Sequence, residues 1–415
     1  MSTPSLLDRT AAGLRPLADR VATEAEALEI AHRLAAQFAP GAAQRDRERL
    51  APVAELDAYS KSGLWAISVP RKHGGLQASY LTVARVFAII SAADPSIAQL
   101  AQNHFGYVNF IALNASAEQQ RELFAAVLSG ARIGNALSEK RNARDAKTRA
   151  HVGVFETRIT AVDEARARVD GRKFYSTGAL YADLVPVTAT NAQGQVEVAF
   201  FDRRTPGLEV VDDWRSFGQR TTASGSVILD GAVLPRRRVV AGERPGGASS
   251  NGPVSQLLQA AIDLGIGVGA LDDTLDYLRH RARPWIDSGV ERACEDPLSL
   301  ARLGRLATQR EAADALLERA ALAVDEADRR LDDEAVDLAS VAVAKAKVAT
   351  TEFALEAAER LFELSGTSST LSEFGYDRHW RNARVHTLHD PVRWKLHLLG
   401  NHVLNGASPK RHAWN

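Results

Sequence analysis

The spacing of apolar positions divides the chain into three stretches. From about residue 20 to 130 they recur at helical intervals. "RDRERLAPVAELDAYSKSGL" reads as one helix closed by Gly63. "YLTVARVFAIISAAD" and "EQQRELFAAVLSG" read as two more, the second ended by Gly130, and "WAISVPRKHGG" as an extended link punctuated by Pro70 and Gly74-Gly75. From about 131 to 240 the period falls to two. There "RARVDGRKFYSTGA" places an Asp170-Gly171 turn between two strand-like runs, and "LVPVTAT", "VEVAFFD", "LEVVDDW" and "GSVILDGAVLP" continue the pattern. From about 250 to 400 helices return, two of them long: "LARLGRLATQREAADALLERAALAVDEADRRL" and "VDLASVAVAKAKVATTEFALEAAERLFELSG". The pattern predicts an α+β chain. Its parts are an N-terminal α-helical domain (1–130), a central antiparallel β domain of barrel or sandwich type (131–243) and a C-terminal four-helix bundle with a tail (244–415). "GERPGGASSNGP" reads as the hinge into the bundle.

Composition narrows the function. The 415 residues carry 51 basic and 51 acidic side chains, so no net field recruits nucleic acid or anionic lipid. One cysteine, Cys294, allows neither an intrachain disulfide nor a cysteine-based zinc site. The most apolar run, "VSQLLQAAIDLGIGVGAL", is interrupted by Asp263 and glutamines and reads as a buried helix, not a membrane span. The first residues lack the basic and apolar regions of a secretory signal, so the expected location is the cytoplasm. A GxGxxG fingerprint in a βαβ setting is absent, which argues against a nicotinamide site of the chain's own.

Candidate chemistry centres on "HTLHDPVRWK", with His386 and His389 three apart and Asp390 directly before a proline. Two readings fit it: a polar helix end stopped by the proline, or an acid/base group at an active-site mouth. Metal ligation lacks a third ligand at suitable spacing. Asn135 and Ser138 in "GNALSEK" and Ser176 and Thr177 in "FYSTGA" read equally as turn and capping residues.

Taken in order, "VPRKHGG", "ADPSIAQLAQNHFGY", "IGNALSEK", "DGRKFYSTGALYADLVPV", "DDWRSFGQRTTASGS", "RARPWID", "YDRHWRNARVHTLHDPVRWK" and "NHVLNG" resemble the acyl-CoA dehydrogenase fold. Within it they resemble the flavin monooxygenase branch that holds dibenzothiophene monooxygenase. They are more similar still to the bacterial sulfur acquisition oxidoreductase group. The resemblance covers about residues 45 to 415.

It implies a homotetramer that takes reduced FMN from a separate NAD(P)H flavin reductase and uses O2 to oxygenate an organosulfur compound. FAD is the alternative cofactor. The alternative activities are an FAD acyl-CoA dehydrogenase or an amine N-hydroxylase. A silent flavin-binding paralogue is the reading from another class. By the resemblance, Asn135, Ser138, Ser176 and Thr177 line the flavin, with Thr177 where relatives carry serine. Trp214 packs beside the ring or is a core tryptophan. Arg281 and Arg283 grip the phosphate, against a solvated helix face for Arg281, and Ser368 stands where relatives often carry arginine. Gln99, Asn103 and His104 shape the substrate pocket, with Gln99 and Asn103 replacing a histidine and a tyrosine; His104 also fits a satisfied core histidine. The carboxylate that a dehydrogenase needs is missing, since "HTLHDP" and Ser255 occupy its two places. His389 then falls where the monooxygenases carry their active-site histidine, with His386 in support. The basic segment "RNARDAKTRAHVGVFET" reads as a lid or a solvated loop.

Overall fold

A computed structural model describes residues 17–140, 155–242, 247–412 and 415. The chain opens with α1 (Glu24–Glu48) and α2 (Val53–Lys61). The stretch expected as one helix up to Gly63 is therefore two. Arg49 turns left-handed at φ 53° to cap α1, and Pro52 starts the next helix without a donor of its own. α3 (Tyr80–Ala93), α4 (Pro95–Asn114) and α5 (Ala117–Leu128) follow. Asp94 caps α4 through the Ser96 and Ile97 amides, with Pro95 at the first helical position. The link between α2 and α3 is not extended throughout, because short 3₁₀ turns occupy Leu64–Ala66 and Arg71–His73.

The central part is one seven-stranded sheet of β1 (Arg158–Ala161), β2 (Arg166–Lys173), β3 (Leu184–Thr190), β4 (Val196–Asp202), β5 (Leu208–Val211), β6 (Ser226–Pro235) and β7 (Val239–Ala241). The order is β5-β6-β2-β1-β3-β4-β7, antiparallel except for the β1–β3 pairing. Asp170-Gly171 is not a turn. The pair lies inside β2 as a bulge, where the register against β6 shifts between Val169 and Gly171. A Cβ at Gly171 would meet the Thr157 hydroxyl at 2.5 Å, so only glycine lets the two backbones approach.

α6 (Asn251–His280), α7 (Pro297–Arg330) and α8 (Asp333–Ser365) are the long helices of the C-terminal bundle, with α9 (Asp377–His386) and α10 (Val392–Asn405) packed against them. α6 is long and apolar enough to cross a membrane, but 89% of its most apolar window is buried inside the protein. Its glycines explain how it packs. A Cβ at Gly265 or Gly269 would meet an α3 carbonyl oxygen at 2.4 Å, and one at Gly267 would meet the Phe353 ring of α8 at 2.5 Å. One continuous apolar core therefore joins α1, α3 and α4 to α6, α7 and α8. Two further clusters line the sheet.

Candidate active site

Two loops at one end of the sheet, around Gly178 and Gly218, pack against α4 and α9. Asn135 follows a bridge that pairs Ile133 with Leu184, which places it at the rim of β3. Its amide is held at both ends: Oδ1 accepts from the Tyr107 hydroxyl at 3.2 Å, and Nδ2 donates to the Tyr175 carbonyl at 3.3 Å. The Ser138 carbonyl accepts the Phe174 amide at 2.8 Å, which ties this segment to the end of β2.

Beyond β2 the chain reverses through Tyr175 at φ 57° and Gly178 at φ 76°. That brings Gly178 against the Leu100 carbonyl of α4, between Gln99 and Asn103. The Thr177 hydroxyl is buried in a chain that passes to Ser224 and on to Thr222, each link 2.8 Å. The Ser176 hydroxyl is also buried, yet it has no hydrogen-bond partner among the described residues. A buried hydroxyl without a partner is costly, so it marks a place where a polar ligand edge fits.

Trp214 stands edge-on to Tyr175, with ring centroids 6.2 Å apart, and its N–H donates to the Gln219 carbonyl at 2.9 Å. It is therefore a half-buried wall residue with its polar atom satisfied. The same loop is fastened to α9, because the Gln219 amide donates to Asn382 Oδ1 at 2.7 Å. α9 ends at His386, and the His389 amide closes the following turn onto the His386 carbonyl at 3.1 Å.

His386 is 2% exposed and donates from Nδ1 to Asp263 of α6 at 2.5 Å, while its Nε2 is buried without a partner. Burial pushes the imidazole below its ordinary pKa despite the attraction of Asp263. Burial alone would raise the Asp263 carboxyl, but the Lys347 charge and the hydrogen bond from His386 overcome it and hold the group low. His389 is the outward member of the pair, with a side chain 40% exposed and Nδ1 2.8 Å from Gln259 Nε2. In the sequence Asp390, directly before a proline, reads as a helix-capping residue, but α10 has no side-chain cap. Asp390 is buried between His389, at 3.4 Å, and Lys395, at 3.6 Å. The Lys347 and Lys395 charges outweigh burial and keep its carboxyl well below the usual range.

His104 lies fully buried with both ring nitrogens occupied. One nitrogen is 2.7 Å from the Trp65 carbonyl and the other accepts the Ile133 amide at 3.1 Å. Burial lowers its pKa to about 4. The hydrogen-bonding capacity expected for the substrate pocket is thus used inside the core, and His104 acts as a neutral tie between α4 and the sheet. Gln99 and Asn103 are half-buried on the same helix.

Arg281 and Arg283 are not brought to His389. Arg281 lies 22 residues beyond Gln259 on α6, about 33 Å at the helical rise. It sits over the Phe374 ring at 5.2 Å, and Ser368 is close by, hydrogen-bonded to the Tyr277 hydroxyl at 2.7 Å. Both arginines are exposed and form no ion pair with a described residue. They remain free to take an anion such as a phosphate. The donor set at the end of the sheet therefore fits the ring edge of a flavin, with an orphan hydroxyl, an amide and aromatic walls. No group of three or more metal-ligating side chains occurs among the described residues. Fourteen residues of the basic segment, 141–154, lie outside the described residues.

Sequence reading missed Lys347 and took the glutamines and Asp263 of α6 only as interruptions of an apolar run. The spacing of Gln259 and Asp263, four apart in an otherwise apolar helix, puts both on one face, but nothing in the sequence marks Lys347 as their partner.

Comparison with known proteins supplies the relatives. Residues 23–131 match the family model described as "Acyl-CoA dehydrogenase, N-terminal domain", and residues 257–394 match "Acyl-CoA dehydrogenase, C-terminal domain". The chain is 32% identical to dibenzothiophene monooxygenase of Rhodococcus erythropolis, over 94% of this chain and 96% of that protein. The FMN-bound crystal structure of TdsC from Paenibacillus sp. A11-2 superposes with a TM-score of 0.87 at 34% identity, covering 94% of this chain and 100% of the other. Methanesulfinate monooxygenase MsuC from Pseudomonas fluorescens superposes with a TM-score of 0.85 at 31% identity, over 94% and 99%.

Proposed function

The chain belongs to the acyl-CoA dehydrogenase family, with flavin monooxygenases among its relatives, and from that premise we propose a two-component monooxygenase. It takes reduced FMN and O2 and oxygenates a small organosulfur compound, in the service of sulfur acquisition. The observation that carries this reading is His389, a part-exposed imidazole on a buried polar scaffold, which by the motif resemblance takes the place of a thioester dehydrogenase's carboxylate.

When bound, reduced FMN supplies two electrons and activates O2, so that one oxygen atom enters the sulfur compound and the other leaves as water. The protein's part is to bind, orient and manage protons. Ser176, Thr177, Asn135 and Ser138 hold the ring edge, and Trp214 with Tyr175 walls one side. His389 exchanges the proton at Nε2, the nitrogen that Gln259 leaves free. His386 supports it from the core.

Arg281 and Arg283 hold the phosphate. Their distance from His389 along α6 supports a homo-oligomer, a tetramer by the family resemblance, in which these arginines come from a second copy. Gln99 and Asn103 give the substrate wall amides in place of rings, which suits a small polar sulfur compound better than a fused thiophene. The methanesulfinate-oxidising relative is consistent with that preference. A separate NAD(P)H flavin reductase supplies the reduced flavin, in the cytoplasm.

The test is to incubate the chain with FMN, NADH, a flavin reductase and ¹⁸O₂ over a panel of sulfinates, sulfones, sulfides, thiophenes and amines. One labelled oxygen in a sulfur product is expected. Labelled amines alone would make it an N-oxygenase, and anaerobic bleaching of bound flavin by acyl-CoA thioesters would make it a dehydrogenase.

A further inference from the structure

A chain of hydrogen bonds runs from the buried faces of α6 and α8 to His389, and its polarity is forced at each link. The Asp263 carboxylate can only accept. Its Oδ1 takes the His386 Nδ1–H at 2.5 Å, and its Oδ2 takes Lys347 Nζ at 2.9 Å and the Thr351 hydroxyl at 3.1 Å. The Lys347 ammonium has no lone pair, so Gln259 must turn its oxygen toward it, at 3.2 Å. The NH₂ end of the amide then faces His389 Nδ1 at 2.8 Å, and Nδ1 must accept. The opposite amide orientation would set NH₂ against an ammonium. Asp390 Oδ1 competes for Nδ1 only from 3.4 Å, beyond the usual range for such a bond. Gln259, Asp263 and Lys347 are each 0% exposed, so solvent does not replace the links among them.

We propose that Lys347 and Gln259 are positioning residues that keep the His389 proton on Nε2, so that the ring offers its substrate side an N–H donor. The inference rests on the acid–base reading of His389 given above. The same carboxylate–ammonium pair sets His386 the other way, with its proton on Nδ1 and a bare lone pair on Nε2. One buried centre thus holds a donor imidazole and an acceptor imidazole within a single turn of chain. The charged and titratable groups bearing on His389 are Asp390, Lys395, Lys347, Asp263 and His386, and only Gln259 combines a short distance with a fixed polarity.

The test uses the full chain labelled with ¹⁵N in its histidine rings, the His389 signals being assigned by their loss in His389→Ala. In the native protein at neutral pH, His389 Nε2 is expected to be pyrrole-like and Nδ1 pyridine-like. Gln259→Glu presents an acceptor at both ends, so Lys347 stays satisfied while the neutral ring carries its proton on Nδ1 and leaves Nε2 bare. Oxygenated product per reduced FMN consumed should then fall at least about tenfold, the missing turnovers appearing as hydrogen peroxide, with FMN affinity within about twofold of native. Gln259→Leu imposes neither tautomer and should give a mixed ring pattern and an intermediate loss. It carries the test alone if the glutamate variant does not fold. A protonated Nδ1 in the native protein, or native product yields in both Gln259 variants, would overturn the lock. If His389→Ala still made product, the acid–base reading would fail instead, whatever the ring pattern.

Discussion

Replacing Lys347 by methionine isolates the energetics of the buried centre. Lys347 and Asp263 are both fully buried, with Nζ 2.9 Å from the carboxylate. Methionine keeps most of the volume and removes the charge. Breaking one member of a buried pair typically costs about 3–5 kcal/mol, because the remaining charge stays desolvated. Here a second partner is on hand. His386 is held neutral by burial and in part by the Lys347 charge, and it donates to the same carboxylate. Without Lys347, the imidazole takes a proton more readily than it does in the native fold. A group whose folded pKa is depressed costs stability as pH falls below its unfolded pKa, near 6.5, so acidification costs the native protein more than the variant. The penalty of Lys347→Met should therefore be the full ~3–5 kcal/mol at pH 8.5 and smaller at pH 6, by up to about 1.4 kcal/mol per pH unit across the window. Urea unfolding of both proteins at the two pH values measures it. A penalty below about 1 kcal/mol, or one equal at both pH values, would refute the reasoning.

Three further outcomes are expected. Since the folded pKa of His104 is about 4, the native fold refuses a proton that the unfolded chain accepts between pH ~6.5 and ~4. Stability should be lost as pH falls through that window, by about 3 kcal/mol, and His104→Gln should show a correspondingly flatter acid limb in urea unfolding. Gly267→Val, whose Cβ would enter the Phe353 ring at 2.5 Å, should lower the thermal midpoint at a cost of about 2 kcal/mol or more, whereas an unchanged midpoint would mean that α6 and α8 can part. Arg281→Ala combined with Arg283→Ala should weaken FMN binding roughly 10- to 100-fold by fluorescence titration. An effect under twofold would remove both from the phosphate site.

The three-part architecture was legible in the sequence because periodicity reports which face of each element is buried, and α3, α5, α7, α8 and most strands follow it. Local chemistry set the misses. Arg49 adopts a left-handed cap that its residue type does not advertise. Asp170-Gly171 carries the same letters as a hairpin turn, but the close approach of Thr157 makes it a bulge. The two histidines could be named from family motifs. Their scaffold could not, because Gln259, Asp263 and Lys347 converge from α6 and α8, 88 residues apart at the Gln259–Lys347 link. His104 illustrates the reverse limit. A motif places the residue, but only the fold shows both nitrogens already taken.

The role of His389 is tested most directly by replacing it with alanine. The measurement is labelled sulfur product formed from ¹⁸O₂ per reduced FMN consumed, alongside FMN affinity. The account predicts that product disappears, hydrogen peroxide takes its place, and flavin still binds within about twofold of native. Product at the native yield would contradict it.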